Sequence, residues 1–180
     1  MNAFPIPVLG ICAYSGTGKT TLLTHLLPLL KNEGLRIGMV KHAHHNFEID
    51  KPNKDSFRLR EAGADQVMIA SRNLKAWICK RENNETEPDL EEVLRPFETA
   101  NLDLILVEGF KKISLPKIEL HRPSLGLPLI FPNDENVIAI ACDSKLDINP
   151  GSIPLLDLNL PSEIKDFIVY DYLQVTRQQA

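Results

Sequence analysis

The chain has 180 residues, 43% hydrophobic and 24% charged, which suits one globular domain able to bury its own core. Its formal net charge of −4 argues against sequence-independent nucleic-acid binding as the main task. No apolar run approaches the roughly 20 residues needed to span a bilayer, and no basic-then-apolar leader opens the sequence. Cys12, Cys79 and Cys142 are too scattered for a zinc knuckle or a disulfide framework, so a reducing, cytoplasmic location is expected.

The first predicted element is a strand from Ile6 to Ala13, an apolar run that ends in Tyr14-Ser15-Gly16-Thr17-Gly18-Lys19-Thr20-Thr21. That order, strand then Gly-rich turn then helix, is the context in which G-x-x-x-x-G-K-[ST] cradles phosphates. Backbone N–H groups of Ser15, Gly16, Thr17 and Gly18 surround the β-phosphate, the Lys19 ammonium reaches the β/γ oxygens, and the Thr20 hydroxyl ligates Mg²⁺, with Thr21 following in the first turn. The helix dipole adds to the attraction. Ala13 replaces the first glycine of the pattern, which is harmless if that residue keeps extended backbone angles. No G-x-S-x-G elbow surrounds Ser15, and no G-x-G-x-x-G dinucleotide turn follows the strand.

Thr20 to Glu33 carries leucines at helical spacing, with Pro28 predicting a kink and Gly34 the stop. Leu35 to Val40 reads as the second strand. The segment after it, His42 to Asp55, has no period and leaves a strand's carboxyl end, where open α/β sheets bind ligands. His42, His44 and His45 lack the spacing that makes a metal site specific. Asp55-Ser56 reads as a cap before a short helix through Ala62 that carries Arg58 and Arg60 and is ended by Gly63. Gln66 to Ser71 and Lys75 to Lys80 form a hairpin or neighbouring strands, with Trp77 and Cys79 on one face.

Glu82 to Glu98 holds seven acidic residues against Arg95, and Leu90, Val93, Leu94 and Phe97 fall at helical spacing, as in a helix with a solvated acidic face. Leu102 to Glu108 is a near-continuous apolar run, as buried parallel strands are, and it delivers Glu108 at its end. A carboxylate there orients Mg²⁺ or a water in phosphate-binding proteins. Asp103 sits at the other end, about 16 Å earlier at a rise of ~3.3 Å per residue. Lys111 and Lys112 follow at the edge of the same mouth. Lys117 to Arg122 is another strand, Pro123 to Pro132 a loop, and Val137 to Cys142 a further buried strand. It runs into Asp143-Ser144-Lys145-Leu146-Asp147, similar to the Asn/Thr-Lys-x-Asp element by which GTPases read guanine. Asp147 and Asp143 compete for that role. A last helix opens at Pro161-Ser162 and buries Ile164, Phe167, Ile168 and Leu173, with a frayed tail from Thr176.

Jointly, the stretches from Ala13 to Thr21, Lys41 to His45, Asp50 to Ser56 and Leu102 to Lys111 resemble the molybdopterin-guanine dinucleotide biosynthesis adaptor protein B family through almost the whole chain. The resemblance implies an α/β P-loop NTPase fold over residues 1–180, with a mostly parallel central sheet and helices on both faces. It also implies a GTP-binding protein with weak GTPase activity, usually a homodimer. Such a protein assists a MobA-like nucleotidyltransferase that joins GMP to molybdopterin. Family roles carry over to Gly16, Gly18, Lys19, Thr20 and the strand-end Glu108, making Lys19 and Glu108 the catalytic candidates and Thr20 and Glu108 the Mg²⁺ ligands. Lys41, His42, Asp50, Lys54, Asp55 and Ser56 carry over as a loop without defined roles. With Lys51 and Arg58 that loop supplies cations expected to meet the pterin-bearing substrate or its carrier enzyme. The alternative from another class is a small-molecule P-loop kinase. Its usual arginine-rich lid has no counterpart in the scattered arginines here, which favours the adaptor.

Overall fold

The structure is a computed structural model that describes residues 4–43, 49–52, 54–81 and 86–179. In chain order its elements are β1 (Val8–Cys12), α1 (Lys19–Asn32), β2 (Ile37–Lys41), α2 (Asp55–Glu61), β3 (Gln66–Ala70), β4 (Lys75–Cys79), α3 (Leu90–Leu94), β5 (Leu104–Glu108), β6 (Lys117–His121), β7 (Val137–Cys142), β8 (Leu155–Asp157), α4 (Pro161–Asp166) and α5 (Leu173–Gln179). They fall into two compact units, residues 1–42 with 90–180, and residues 43–89.

The larger unit is built on a six-stranded sheet in the order β2-β5-β1-β6-β7-β8, and every neighbouring pair runs parallel. The chain moves from β1 to one side of the sheet for β2 and β5, then to the other for β6, β7 and β8. The carboxyl end of β1 is therefore the switch point, where open α/β sheets bind ligands.

Alternation along β5 divides the core. Leu104 and Leu106 pack with Leu22, Leu23, Leu26 and Leu30 of α1 and with Ile164 and Ile168, while Ile105 and Val107 pack with Leu90 and Leu94 on the other face. Side chains of β5 are buried along its whole length, which is why the run carries no polar alternation. Helix α1 continues through Pro28, giving up only the bond its missing N–H would make to Thr24. It closes with Gly34 N–H to the Lys31 carbonyl and Leu35 N–H to the Leu30 carbonyl, and Leu30 and Leu35 pack together below the turn.

Several boundaries differ from those the sequence suggests. The acidic helix begins only at Leu90 and passes into a 3₁₀ turn over Arg95–Phe97, because Pro96 cannot donate to the ladder and biases Arg95 away from α geometry. The final helix opens at Pro161 with Leu160 as its cap, so Ser162 lies inside it. It contains a π segment, Phe167–Tyr172, and stays helical to Gln179 where a frayed end was expected. Strand β8 is an addition: only Leu156 of its three residues is buried, too short a signal to read from pattern.

The smaller unit holds α2 and the antiparallel β3–β4 hairpin, in which Met68 faces Trp77 and Gln66 faces Cys79. Lys54 is the cap residue of α2, so Asp55 and Ser56 occupy its first turn. No helix among the described residues is long and apolar enough to cross a membrane.

Candidate functional site

The turn that leaves β1 has the backbone a phosphate cradle needs. Gly16 and Gly18 sit at φ 82° and 99°, and a side chain on Gly16 would meet nothing within 4 Å, so the concavity is open. Ala13 is buried and is not among the positive-φ residues, which is why alanine can stand where the pattern has glycine. Gly18 caps α1, whose first backbone bond runs from Leu22 N–H to the Gly18 carbonyl at 2.9 Å. The N–H groups of Lys19, Thr20 and Thr21 precede that ladder and are left for a ligand. Buried Thr17 fastens the turn by donating its hydroxyl to the Tyr14 carbonyl at 2.9 Å. The Lys19 ammonium folds back onto the carbonyls of Ala13 (3.2 Å) and Tyr14 (3.0 Å). Ser15, Thr20 and Thr21 are exposed around it.

Parallel pairing brings the second half of the site alongside. Glu108, at the end of β5, is in register with Ile11 of β1 on one side and Lys41 of β2 on the other. Lys41 Nζ lies 3.6 Å from Glu108 Oε2, whose side chain is 11% exposed. Burial, and next the Lys111 ammonium, hold Lys19 below the usual lysine range, while Glu108 acts in the opposite direction. Lys41 and Lys111 thus stand within electrostatic reach of Lys19, with Glu108 as the counter-charge, a field that favours a polyanion with its counter-cation.

The turn after Glu108 is built to close contact. A Cβ on Gly109 would come within 2.5 Å of the His42 Cβ, and Gly109 has φ 102°. Phe110 follows at φ 51°, unusual for a bulky residue, and stacks on the His42 ring at 4.5 Å between centroids. His42 N–H donates to the Glu108 carbonyl at 2.8 Å. Residues 41 and 42 are thereby fixed to the strand end that carries the carboxylate.

Arg122 at the end of β6 is the residue that sequence reasoning passed over. Its Nε donates to the Thr17 carbonyl at 2.9 Å and its Nη1 to Asp143 Oδ2 at 2.5 Å. Asp143 therefore serves as the anchor of an arginine that braces the phosphate turn. Asp147, four residues on, is exposed, while Leu146 beside it is buried and fixes that loop to the sheet.

Lys41 and His42 belong to the larger unit. Asp50, Lys51, Lys54, Asp55, Ser56 and Arg58 belong to the smaller one, where Asp50 is buried and Asp55, Ser56 and Arg58 lie in α2. His44 and His45 lie outside the described residues.

Comparison with known proteins agrees with this geometry. The family model described as molybdopterin guanine dinucleotide synthesis protein B matches residues 8–143. The chain is 45% identical over 166 residues to the molybdopterin-guanine dinucleotide biosynthesis adapter protein of Escherichia coli K12, covering 91% of this chain and 92% of that one. It is 44% identical over 164 residues to the protein of the same description from Haemophilus influenzae, covering 91% and 88%. A crystal structure of molybdopterin-guanine biosynthesis protein B superposes with a TM-score of 0.67 at 27% identity, covering 90% of this chain and 97% of that one. The fold is that of a P-loop NTPase, and the chain belongs to the molybdopterin guanine dinucleotide synthesis protein B family.

Proposed function

We propose that this chain is a GTP-binding adaptor that assists a MobA-like nucleotidyltransferase in attaching GMP to molybdopterin, and that it works as a cytoplasmic homodimer. One juxtaposition carries the reading: an open phosphate turn with Lys19 stands beside Glu108 on the neighbouring parallel strand. It occurs in a chain 45% identical to a biosynthesis adapter protein.

The residues present fit a nucleotide with Mg²⁺. The open turn at Gly16 and the first-turn N–H groups of α1 would hold phosphate oxygens, with Lys19 swinging from the Ala13 and Tyr14 carbonyls to join them. The Thr20 hydroxyl and the Glu108 carboxylate would hold Mg²⁺, and Lys41 would balance Glu108. When bound, the metal neutralises phosphate charge. Asp147 is the residue assigned to guanine, since Asp143 is committed to Arg122.

Hydrolysis is expected to be slow. Arg122, the arginine placed on the turn, is tied to the Thr17 carbonyl and to Asp143, which holds it as a brace rather than as a side chain free to swing onto a transferring phosphoryl group. The segment from Asp50 to Arg58 is assigned to the carrier enzyme, through Lys51, Lys54 and Arg58.

The test is a reconstituted synthesis of the dinucleotide from molybdopterin and Mg²⁺·GTP by the nucleotidyltransferase, with and without this protein, following the γ-phosphate in parallel. The adaptor reading predicts stimulated dinucleotide formation in which the γ-phosphate leaves within pyrophosphate, with little of it released as free inorganic phosphate. Transfer of the γ-phosphate to the pterin would instead make the protein a kinase.

A further inference from the structure

The phosphate turn faces more positive charge than the groups assigned to it use. Among the described residues, Lys41 and Lys111 lie within electrostatic reach of Lys19, and Glu108 is the carboxylate beside them. Three ammonium groups against one carboxylate leave a surplus of two positive charges. A triphosphate chelated by Mg²⁺ carries about two negative charges and matches that surplus, whereas the diphosphate complex carries about one. Lys19 serves the phosphates and Lys41 pairs with Glu108, which leaves Lys111 as the cation in excess.

The main chain of Lys111 is pinned and its side chain is not. Gly109 and Phe110, which lead to it, have φ 102° and 51°, and Phe110 is buried against the His42 ring. A bulky residue in left-handed geometry persists only where its surroundings enforce it, and such strain gathers at functional sites. Behind the turn, Lys117 is 2% exposed and donates to the Lys111 carbonyl at 3.0 Å and to the Asp134 carboxylate. Glu119, on the same face of β6, accepts the N–H groups of Ile130 (2.8 Å) and Phe131 (2.9 Å), which fixes the segment that carries Asp134. Buried charges cost more than an apolar strand face would, and here one of them holds the backbone of residue 111 in place. The Lys111 side chain is exposed, with its ammonium over the Tyr14 ring at 5.1 Å from the centroid. The carbonyl of the same Tyr14 accepts the Lys19 ammonium at 3.0 Å. A flexible stem on a rigid base, next to the first phosphate lysine, is what a second one requires.

We propose that Lys111 is a second phosphate-binding lysine, which leaves the Tyr14 ring for the terminal phosphate of a bound nucleoside triphosphate and makes the site prefer triphosphate to diphosphate. An ammonium over an exposed aromatic ring gains less than one in charge-assisted bonds to phosphate, so the exchange is favourable once that phosphate arrives. The proposal rests on the nucleotide reading for its ligand and adds the residue that senses the γ-phosphate.

Calorimetry of the full chain with Mg²⁺·GDP and with the non-hydrolysable Mg²⁺·GMPPNP tests it. Lys111→Ala alters an exposed side chain and should weaken GMPPNP roughly tenfold or more, while GDP affinity changes less than about threefold. Lys112→Ala, at the exposed neighbouring position, should leave both affinities unchanged. Lys19→Ala should weaken both nucleotides, which marks the turn as their site. A Lys111→Ala protein that binds both nucleotides as the wild type does, or loses both equally, would overturn the proposal and leave the nucleotide reading in place. The same selective loss on Lys112→Ala would also overturn it, since any nearby charge would then suffice. Binding of neither nucleotide by the wild-type protein, or indifference of both to Lys19→Ala, would refute the nucleotide reading and the proposal with it.

Discussion

Arg122→Met should loosen the phosphate turn without removing any group assigned to the nucleotide. The substitution keeps much of the side chain's length but deletes the bond to the Thr17 carbonyl and the ion pair with Asp143. A hydrogen bond to a charged group contributes about 1.5–3 kcal/mol when well sheltered. The two side chains are 32% and 18% exposed, so solvent screening places the pair near the lower end, at about 1–2 kcal/mol. The expected outcome is a stability loss of about 2 kcal/mol and roughly tenfold weaker binding of Mg²⁺·GTP and Mg²⁺·ATP alike. Chemical denaturation of wild type, Arg122→Met, Asp143→Asn and the double variant gives the pair's coupling energy, expected at about 1 kcal/mol or more. Additive effects with unchanged nucleotide affinity would refute the brace. A fall in GTP affinity alone on Asp143→Asn would show that Asp143 reads the base.

Other expectations rest on different parts of the molecule. Asp147→Asn should reduce the preference for GTP over ATP about tenfold in parallel calorimetric titrations, equivalent to about 1.4 kcal/mol. Lys51→Ala/Lys54→Ala should leave Mg²⁺·GTP affinity unchanged and depress stimulation of dinucleotide formation in the reconstituted assay, since both residues lie in the unit that lacks the phosphate turn. Burial acts to raise the Asp134 carboxyl, but the Lys117 and Asn136 hydrogen bonds outweigh it and hold the group below its ordinary range. Its contribution to stability is therefore complete above the unfolded value of about 3.9 and is lost as pH falls through the lower folded value. Asp134→Asn should flatten the acid limb of a stability-against-pH curve, measured by denaturation between about pH 2 and 6.

What could be read from the sequence was what leaves a local trace. The turn from Ala13 to Thr21 is contiguous, so its strand, glycines, lysine and hydroxyls declare themselves together. Glu108 stands out because a carboxylate closes an apolar run, and the direction of that run places it at the ligand end of the sheet. The hairpin over β3 and β4 follows from two short β-rich runs on either side of a turn. Arg122 had no such trace, since its partners Thr17 and Asp143 are 105 and 21 residues away and one arginine after a strand has many uses. A usable signal did exist in the strand that leads to it: Lys117, Glu119 and His121 alternate with Ile118 and Leu120, which reads as an exposed polar face. In the folded chain that face is covered by the loop from 123 to 134, and the same alternation marks clamps. In the acidic stretch the apolar spacing from Leu90 does mark the helix, over Leu90–Leu94, and Pro96 turns its end at Phe97 into a 3₁₀ turn.

The central claim is that the turn around Lys19 holds the triphosphate of GTP, and calorimetry of Mg²⁺·GTP with wild type and Lys19→Ala tests it most directly. Among the described residues the Lys19 ammonium hydrogen-bonds carbonyls of its own turn, so its removal should leave the fold intact, as circular dichroism and the thermal midpoint would report. Loss of a charge-assisted contact should weaken binding by about 1.5–3 kcal/mol, or roughly 10- to 150-fold. A folded Lys19→Ala protein that binds Mg²⁺·GTP as tightly as wild type would contradict the account.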